Sequence, residues 1–231
     1  MGFCGRDEAA DSLKILLENA EINCQLEQLD DYPTVTKLRV MSRHQQLIRL
    51  DFEDGFHQVD PANLLQHFIE QLDQAKVVVL SDYGKGTLDA VEKFIGLARS
   101  VNKPVLVDPK GNNFNIYRHA TVITPNLSEF EAVVGSCRNR EHLVEKGMNL
   151  LNGRELTAWL VTRGEHGMTL LSKGHEPLHL PTHAREVYDV TGAGDTVISV
   201  LAAALAAADL LVGRAGSSTL AEAAASGLPM I

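Results

Sequence analysis

From residue 61 onward, short continuous apolar runs alternate with amphipathic stretches. Val77-Val78-Val79-Leu80, Val105-Leu106-Val107, Thr121-Val122-Ile123 and Ala158-Trp159-Leu160-Val161 show no polar alternation. Each reads as a strand buried on both faces. Helical spacing over 61–75, 88–100, from Leu127 onward and 139–151 separates them, with Pro61 opening the first helix. A hairpin-like stretch follows at 168–180, and a long Ala-rich helix starts at about Ala193. Buried-type strands alternating with helices define an α/β fold with a mostly parallel sheet covered on both faces. Ligands of such sheets sit at the carboxyl ends of the strands.

The first sixty residues have another rhythm. Residues 8–20 predict a helix with Leu13, Leu16 and Leu17 on one face. Residues 34–40 and 46–52 predict two β segments, joined by a turn at Ser42-Arg43-His44-Gln45-Gln46. Their polar, basic composition suits a small β layer that covers something rather than a core. No internal repeat, low-complexity run or Pro/Gly-rich linker interrupts the chain.

Composition narrows the function. The 231 residues carry a formal net charge of −9 with 5% aromatics. That excludes the basic footprint of a sequence-independent nucleic-acid binder and the stacking platforms of a single-strand binder. Three cysteines, Cys4, Cys24 and Cys137, show no CxxC or metal spacing, as in a reduced cytoplasmic chain. The most apolar stretch, Val197 to Val212, contains Ser199 and Asp209 and is too short to span a membrane. The acidic N-terminus is not a signal peptide, and Arg6 stands where a myristoylation signal wants Ser or Thr.

The sharpest chemical signal is Asp189-Val190-Thr191-Gly192-Ala193-Gly194-Asp195-Thr196, at the start of the Ala-rich helix. The amides of Gly192, Ala193 and Gly194 can converge on one anion, helped by the helix dipole. Such an anion hole suits charge on a transferred phosphoryl group, and Asp195 beside it can take the proton of an attacking hydroxyl. The plain alternative is an ordinary helix N-terminus with an acidic residue. Asn126-Leu127-Ser128-Glu129 follows a strand and reads either as oxygen ligands for a hard cation or as a helix capping box. Thr162-Arg163-Gly164, with Gly167, follows a strand and reads as a tight turn between two strands. Lys85 and Lys110 sit in Gly-bearing loops after strands, as phosphate cations or as solvated lysines. Lys37, Arg39, Arg43 and Arg49 concentrate positive charge in an acidic chain, for an anionic substrate or to protect an exposed edge strand. His44, His166, His175, His179 and His183 have no ligand spacing.

The Gly192–Asp195 string resembles the signature of the ribokinase-like carbohydrate kinases. So do Ser81-Asp82-Tyr83-Gly84-Lys85-Gly86, Asp108-Pro109-Lys110-Gly111, Thr124-Pro125-Asn126-Leu127-Ser128-Glu129 and Val161-Thr162-Arg163-Gly164, in the family's order. Pro33 to Val40, Gln45 to Asp51, and Thr182 to Thr196 are similar to the family's heptose 7-phosphate kinases. The resemblance implies a three-layer α/β sandwich with a small β lid at 34–52. It implies ATP-dependent phosphorylation of the 1-hydroxyl of D-glycero-D-manno-heptose 7-phosphate, for lipopolysaccharide precursor synthesis. It assigns Asp195 as base, Gly192, Ala193 and Gly194 as anion hole, and Glu129 as a contact to Mg²⁺ through water. Asn126, Leu127, Ser128, Thr162, Arg163, Gly164 and Gly167 would face ATP, and Lys37, Arg39, Arg49, Lys85 and Lys110 the sugar phosphate. A cytoplasmic enzyme of a small molecule follows, with no nucleic-acid or membrane partner and a homodimer as the assembly considered.

The resemblance covers residues 1–207 and implies a kinase domain incomplete at both ends. The family's opening strands and sugar-gripping Gly-Gly segment have no counterpart before Met1. Residues 208–231 diverge, either as the family's tail after a deletion or as a strand-turn-helix resembling the nucleotide-sugar motif of MurG-like glycosyltransferases. Two other functions stand beside the kinase: a non-catalytic remnant that binds nucleotide or protein, and a glycosyltransferase fragment. No HxGH-type adenylyltransferase segment is present.

Overall fold

The computed structural model describes residues 1–43, 45–152, 156–182 and 192–207. His44, His183, the Asp189-Val190-Thr191 preface and residues 208–231 lie outside the described residues. Two compact units form, one from Met1–Gln71 with Gly84–Ala90, the other from Leu72–Tyr83 with Val91 onward.

In the first unit, β1 (Gly2–Gly5) pairs in parallel with β2 (Leu26–Leu29), across helix α1 (Glu8–Asn19). Asp7 caps α1 by accepting from the Ala10 amide at 2.9 Å, and its carboxylate also accepts from the amide and hydroxyl of Thr34. Those bonds hold the carboxyl below its usual range. The β1–β2 pair was not expected from the sequence. Of the face predicted for α1, Leu13 and Leu16 are exposed and Ala10 is the buried residue. The predicted hairpin is present: β3 (Thr36–Ser42) pairs antiparallel with β4 (Gln45–Phe52), with a register shift at Val40/Met41. Arg43 takes φ 54° at its turn. Almost every residue of both strands is exposed, apolar Leu47, Ile48 and Phe52 included, so polarity alone does not account for the exposure.

After β4 comes helix α2 (Ala62–Leu72), and the second unit holds most of the described buried apolar residues. Its six-stranded sheet runs, edge to edge, through Leu178–Leu180, Met168–Ser172, Ala158–Thr162, Val122–Ile123, Val105–Asp108 and Val78–Ser81. β5 (Val78–Ser81), β6 (Val105–Asp108), β7 (Val122–Ile123) and β8 (Ala158–Thr162) are mutually parallel. β9 (Met168–Ser172) and β10 (Leu178–Leu180) continue antiparallel, as the hairpin reading of 168–180 expects. The pleat sends alternate residues to opposite faces. Leu106, Ala158 and Leu160 face Ile198, Leu201 and Ala202 of α6 (Ala193–Ala207). Trp159, one residue out of phase, packs on Phe114 and edge-on against Phe130. α3 (Val91–Ser100), α4 (Leu127–Val134) and α5 (Arg140–Asn152) contact β6, β8 and β9 from that side, so the unit is a three-layer sandwich.

Candidate active site

The carboxyl ends of β5 to β8 and the start of α6 line one cleft of about 580 Å³, wholly within the second unit. Sterics and hydrogen bonds set its floor. Tyr117, from the single helical turn Phe114–Tyr117, is fully buried. Its hydroxyl donates to Asp82 Oδ2 at 2.7 Å and accepts from the Lys110 amide at 3.1 Å, tying the loops after β5 and β6 together. Burial pushes its own pKa up, so it stays a neutral donor. Thr124 is buried, and its amide and hydroxyl both donate to the Val107 carbonyl. Thr162 donates its amide to the Pro125 carbonyl at 3.0 Å, joining the ends of β7 and β8.

Asn126 and Glu129 form a capping box at the start of α4. The Glu129 amide donates to Asn126 Oδ1 at 2.9 Å, and the Asn126 amide donates to Glu129 Oε2 at 3.1 Å. The capping alternative raised by the sequence is therefore realised. Glu129 Oε1 also meets Lys110 Nζ at 3.3 Å, and the carboxylate stays on the cleft wall.

Gly192 ends its turn at φ 76°, where a side chain would be strained. Its carbonyl accepts from both the amide and the hydroxyl of Thr196, at 2.9 Å each, which makes it the N-cap of α6. Ala193, Gly194 and Asp195 then occupy the first turn, whose amides have no intrahelical acceptor. Among the described residues, a Cβ on Gly194 would meet nothing within 4 Å, so that side of the turn is uncrowded. Tyr83 donates to Asp195 Oδ1 at 3.0 Å, with Oδ2 at 3.2 Å. The Tyr83 hydroxyl is pushed up to about 12, first by burial and then by that bond to Asp195.

Among the described lining residues, acidic side chains outnumber basic ones. Asp82, Asp108, Glu129 and Asp195 face Lys110 and Arg163 across the cleft. Asp108 records the imbalance: burial first, then Glu129 and Asp195, push its carboxyl up to about 6, against the opposing effect of Lys110. Arg163 donates from Nη2 to the His166 carbonyl at 2.7 Å, and burial lowers its pKa.

Most sequence-predicted residues come together at this cleft: Asn126, Leu127, Ser128, Glu129, Thr162, Arg163, Gly164, Gly192, Ala193, Gly194, Asp195 and Lys110. Gly167 does not line it. It closes the turn after β8 at φ 77°, so close to the Leu180 carbonyl that a Cβ would lie 2.0 Å away. Lys37, Arg39, Arg49 and Lys85 belong to the first unit. There Lys37 bridges Glu53 Oε1 at 2.7 Å, and Lys85 bonds the other oxygen of the same carboxylate. The two hydrogen bonds pull Glu53 down to about 2. Arg49 pairs with Asp51 at 2.8 Å and lies opposite Arg39 in register. Sequence reasoning missed Glu53, Tyr83, Asp108 and Tyr117 as individual residues. The strand-end rule could have found Asp108 and Tyr83, whereas nothing local marks Tyr117.

Fold and cleft position together are of the ribokinase-like type. The chain belongs to the pfkB family of carbohydrate kinases, which residues 1–228 match. It is 53% identical over 234 residues to the Bifunctional protein HldE of Histophilus somni, covering 95% of this chain and 49% of that protein. The HldE proteins of Haemophilus influenzae and Yersinia enterocolitica match to the same extent. The chain thus spans about half the length of the curated relatives it matches. Ribokinase from Giardia lamblia superposes with a TM-score of 0.77 at 20% identity, covering 96% of this chain and 73% of that one. Arabidopsis thaliana ribokinase complexed with ribose and ATP gives 0.73 at 18% identity, covering 97% and 72%. These two likenesses establish the ribokinase-like fold. Among the described residues, no helix is long and apolar enough to cross a membrane, and no group of three or more His, Cys, Asp or Glu could hold a metal ion.

Proposed function

We propose that this chain transfers the γ-phosphoryl group of ATP to the 1-hydroxyl of D-glycero-D-manno-heptose 7-phosphate, giving the 1,7-bisphosphate and ADP. The observation that carries this is the joint placement of the Gly192–Asp195 helix start and the Asn126–Glu129 turn on one cleft. The family match supports phosphoryl transfer to a sugar. The resemblance of 33–51 to heptose 7-phosphate kinases, together with 53% identity to HldE proteins, supports the heptose. The same match, running to residue 228, gives no support to a glycosyltransferase segment at 208–231.

Asp195 accepts the proton of the sugar hydroxyl as its oxygen bonds the γ-phosphorus and the bond to the ADP oxygen breaks. The first-turn amides of α6, which have no acceptor within the helix, face the oxygens of the group in transfer, where fixed donors need no reorganisation. Lys110 adds positive charge, and Arg163 and Gly164 line the nucleotide side. The donor set fits Mg²⁺, which takes oxygen ligands and keeps waters, so that Glu129, with Asp108 beside it, would hold the ion through water. Bound Mg²⁺ supplies neutralisation of the phosphate charge. Lys37, Arg39, Arg49 and Lys85 would meet the 7-phosphate, displacing Glu53 and Asp51 from their present pairs. A kinase unit over 1–207 with a lid at 34–52, working in the ATP-rich cytoplasm, completes the reading.

ADP release tests it. With Mg²⁺ and ATP, heptose 7-phosphate should be consumed at least about tenfold more efficiently than the same heptose without phosphate, because a charge-assisted contact is lost. Equal efficiency for both sugars would refute the 7-phosphate assignment, and no ADP with either would refute the kinase.

A further inference from the structure

We infer that Tyr83 is a positioning residue for Asp195, its hydroxyl bridging the two carboxylate oxygens so that their remaining lone pairs stay directed at the sugar hydroxyl. This rests on the phosphoryl-transfer reading above.

Asp195 lies in the first turn of α6 and is exposed. A carboxylate there turns freely about two torsions unless a donor holds it, and orientation of a base is worth much of its effect. The Tyr83 hydroxyl supplies that donor at 3.0 and 3.2 Å. Tyr83 is itself placed by a rigid floor. Its neighbour Asp82 donates its amide to the Asp108 carbonyl at 2.9 Å and accepts from buried Tyr117 at 2.7 Å. The choice of donor also fits the task. A lysine would compensate the charge that makes Asp195 a base, and the nearby Lys110 is engaged with Glu129 instead. A phenol pushed up to about 12 stays neutral through the working range and orients without adding charge. An ionised carboxylate has roughly four acceptor sites, so one bridging hydroxyl leaves room for the substrate.

The test is Tyr83→Phe, which keeps the half-exposed ring and removes the hydroxyl. With ATP and heptose 7-phosphate, kcat should fall about tenfold while KM for ATP stays within about twofold, as expected for loss of one hydrogen bond to a charged group. The melting temperature should be unchanged. An unchanged kcat overturns the inference, as does a raised KM for ATP with kcat preserved, which would make Tyr83 a nucleotide contact. A second measurement does not depend on turnover. Asp195→Asn should perturb the near-ultraviolet tyrosine band in the Tyr83 chain and leave it unaltered in the Tyr83→Phe background. Absence of that difference overturns the hold on Asp195. Its presence in a chain that turns over no sugar phosphate contradicts the kinase reading alone.

Discussion

Replacing Asp108 by asparagine should stabilise the protein at neutral pH, although the residue belongs to the cleft. Its carboxyl is pushed up to about 6 by burial and by Glu129 and Asp195, from an ordinary value of about 3.9. Folding therefore opposes its ionisation. Stability is undiminished below about pH 4, declines as pH rises through 6, and stays lower above that. A gap of roughly two pH units corresponds to about 2.8 kcal/mol. Asp108 is partly exposed, and screening by solvent reduces this to about 1.4 kcal/mol. For a chain of 231 residues, that is about 3 °C in melting temperature. The asparagine side chain carries no charge, so the gain should be near 3 °C at pH 8, about half that at pH 5, and absent below pH 4. Circular dichroism melts without nucleotide or divalent ion measure it. An equal gain at pH 5 and pH 8, or a loss at pH 8, would refute the electrostatic reasoning. Activity should fall in the same variant, because the carboxylate excess that destabilises the empty cleft is what attracts the cation.

Asn126→Ala removes the acceptor for the Glu129 amide and should cost about 1 kcal/mol in urea unfolding. Glu129→Gln keeps an oxygen facing the Asn126 amide, so it should cost less than half of that while raising the Mg²⁺ concentration for half-maximal rate; equal losses with unchanged Mg²⁺ dependence would leave Glu129 only its cap. Gly147→Ala on α5 would place a Cβ 2.3 Å from Leu171 Cδ1 and 3.2 Å from Phe130 Cζ. Overpacking of about 1–3 kcal/mol should outweigh the roughly 1 kcal/mol of helix propensity gained, and a raised melting temperature would contradict this. Glu53, pulled down to about 2 by Lys37 and Lys85, contributes stability that is present above its ordinary value near about 4.3 and lost as pH falls toward 2. The deficit of Glu53→Gln should therefore shrink between pH 5 and pH 3, and a deficit that persists at pH 3 would contradict the pairing.

The second unit was legible because its strands are buried on both faces. Val105-Leu106-Val107 and Ala158–Val161 admit few other readings, and the residues after them fall at the cleft by topology alone. The first unit was less legible. Gly2-Phe3-Cys4-Gly5 has two glycines in four positions, and Leu26-Glu27-Gln28-Leu29 is half polar, so neither shows strand propensity. Their pairing is parallel and spans the whole of α1, which no local pattern records. Helix ends also drifted: the stretch expected over 61–75 is helical over Ala62–Leu72, and that over 88–100 over Val91–Ser100. At the site, motif strings marked Gly192 to Asp195 and Asn126 to Glu129, because backbone geometry and short spacing encode them. Tyr83 on Asp195 lies 112 residues away in sequence, and Tyr117 on Asp82 lies 35 away. Such contacts exist only once the strands are aligned.

Phosphorus NMR of the reaction mixture tests the central claim most directly. ATP, Mg²⁺ and heptose 7-phosphate with the wild-type chain should give ADP and, in equal amount, a new phosphate signal coupled to the anomeric proton. Asp195→Asn should slow its appearance by about 10²–10⁴-fold with ATP affinity unchanged. No anomeric phosphate from the wild type, or near-normal turnover by Asp195→Asn, would contradict the account.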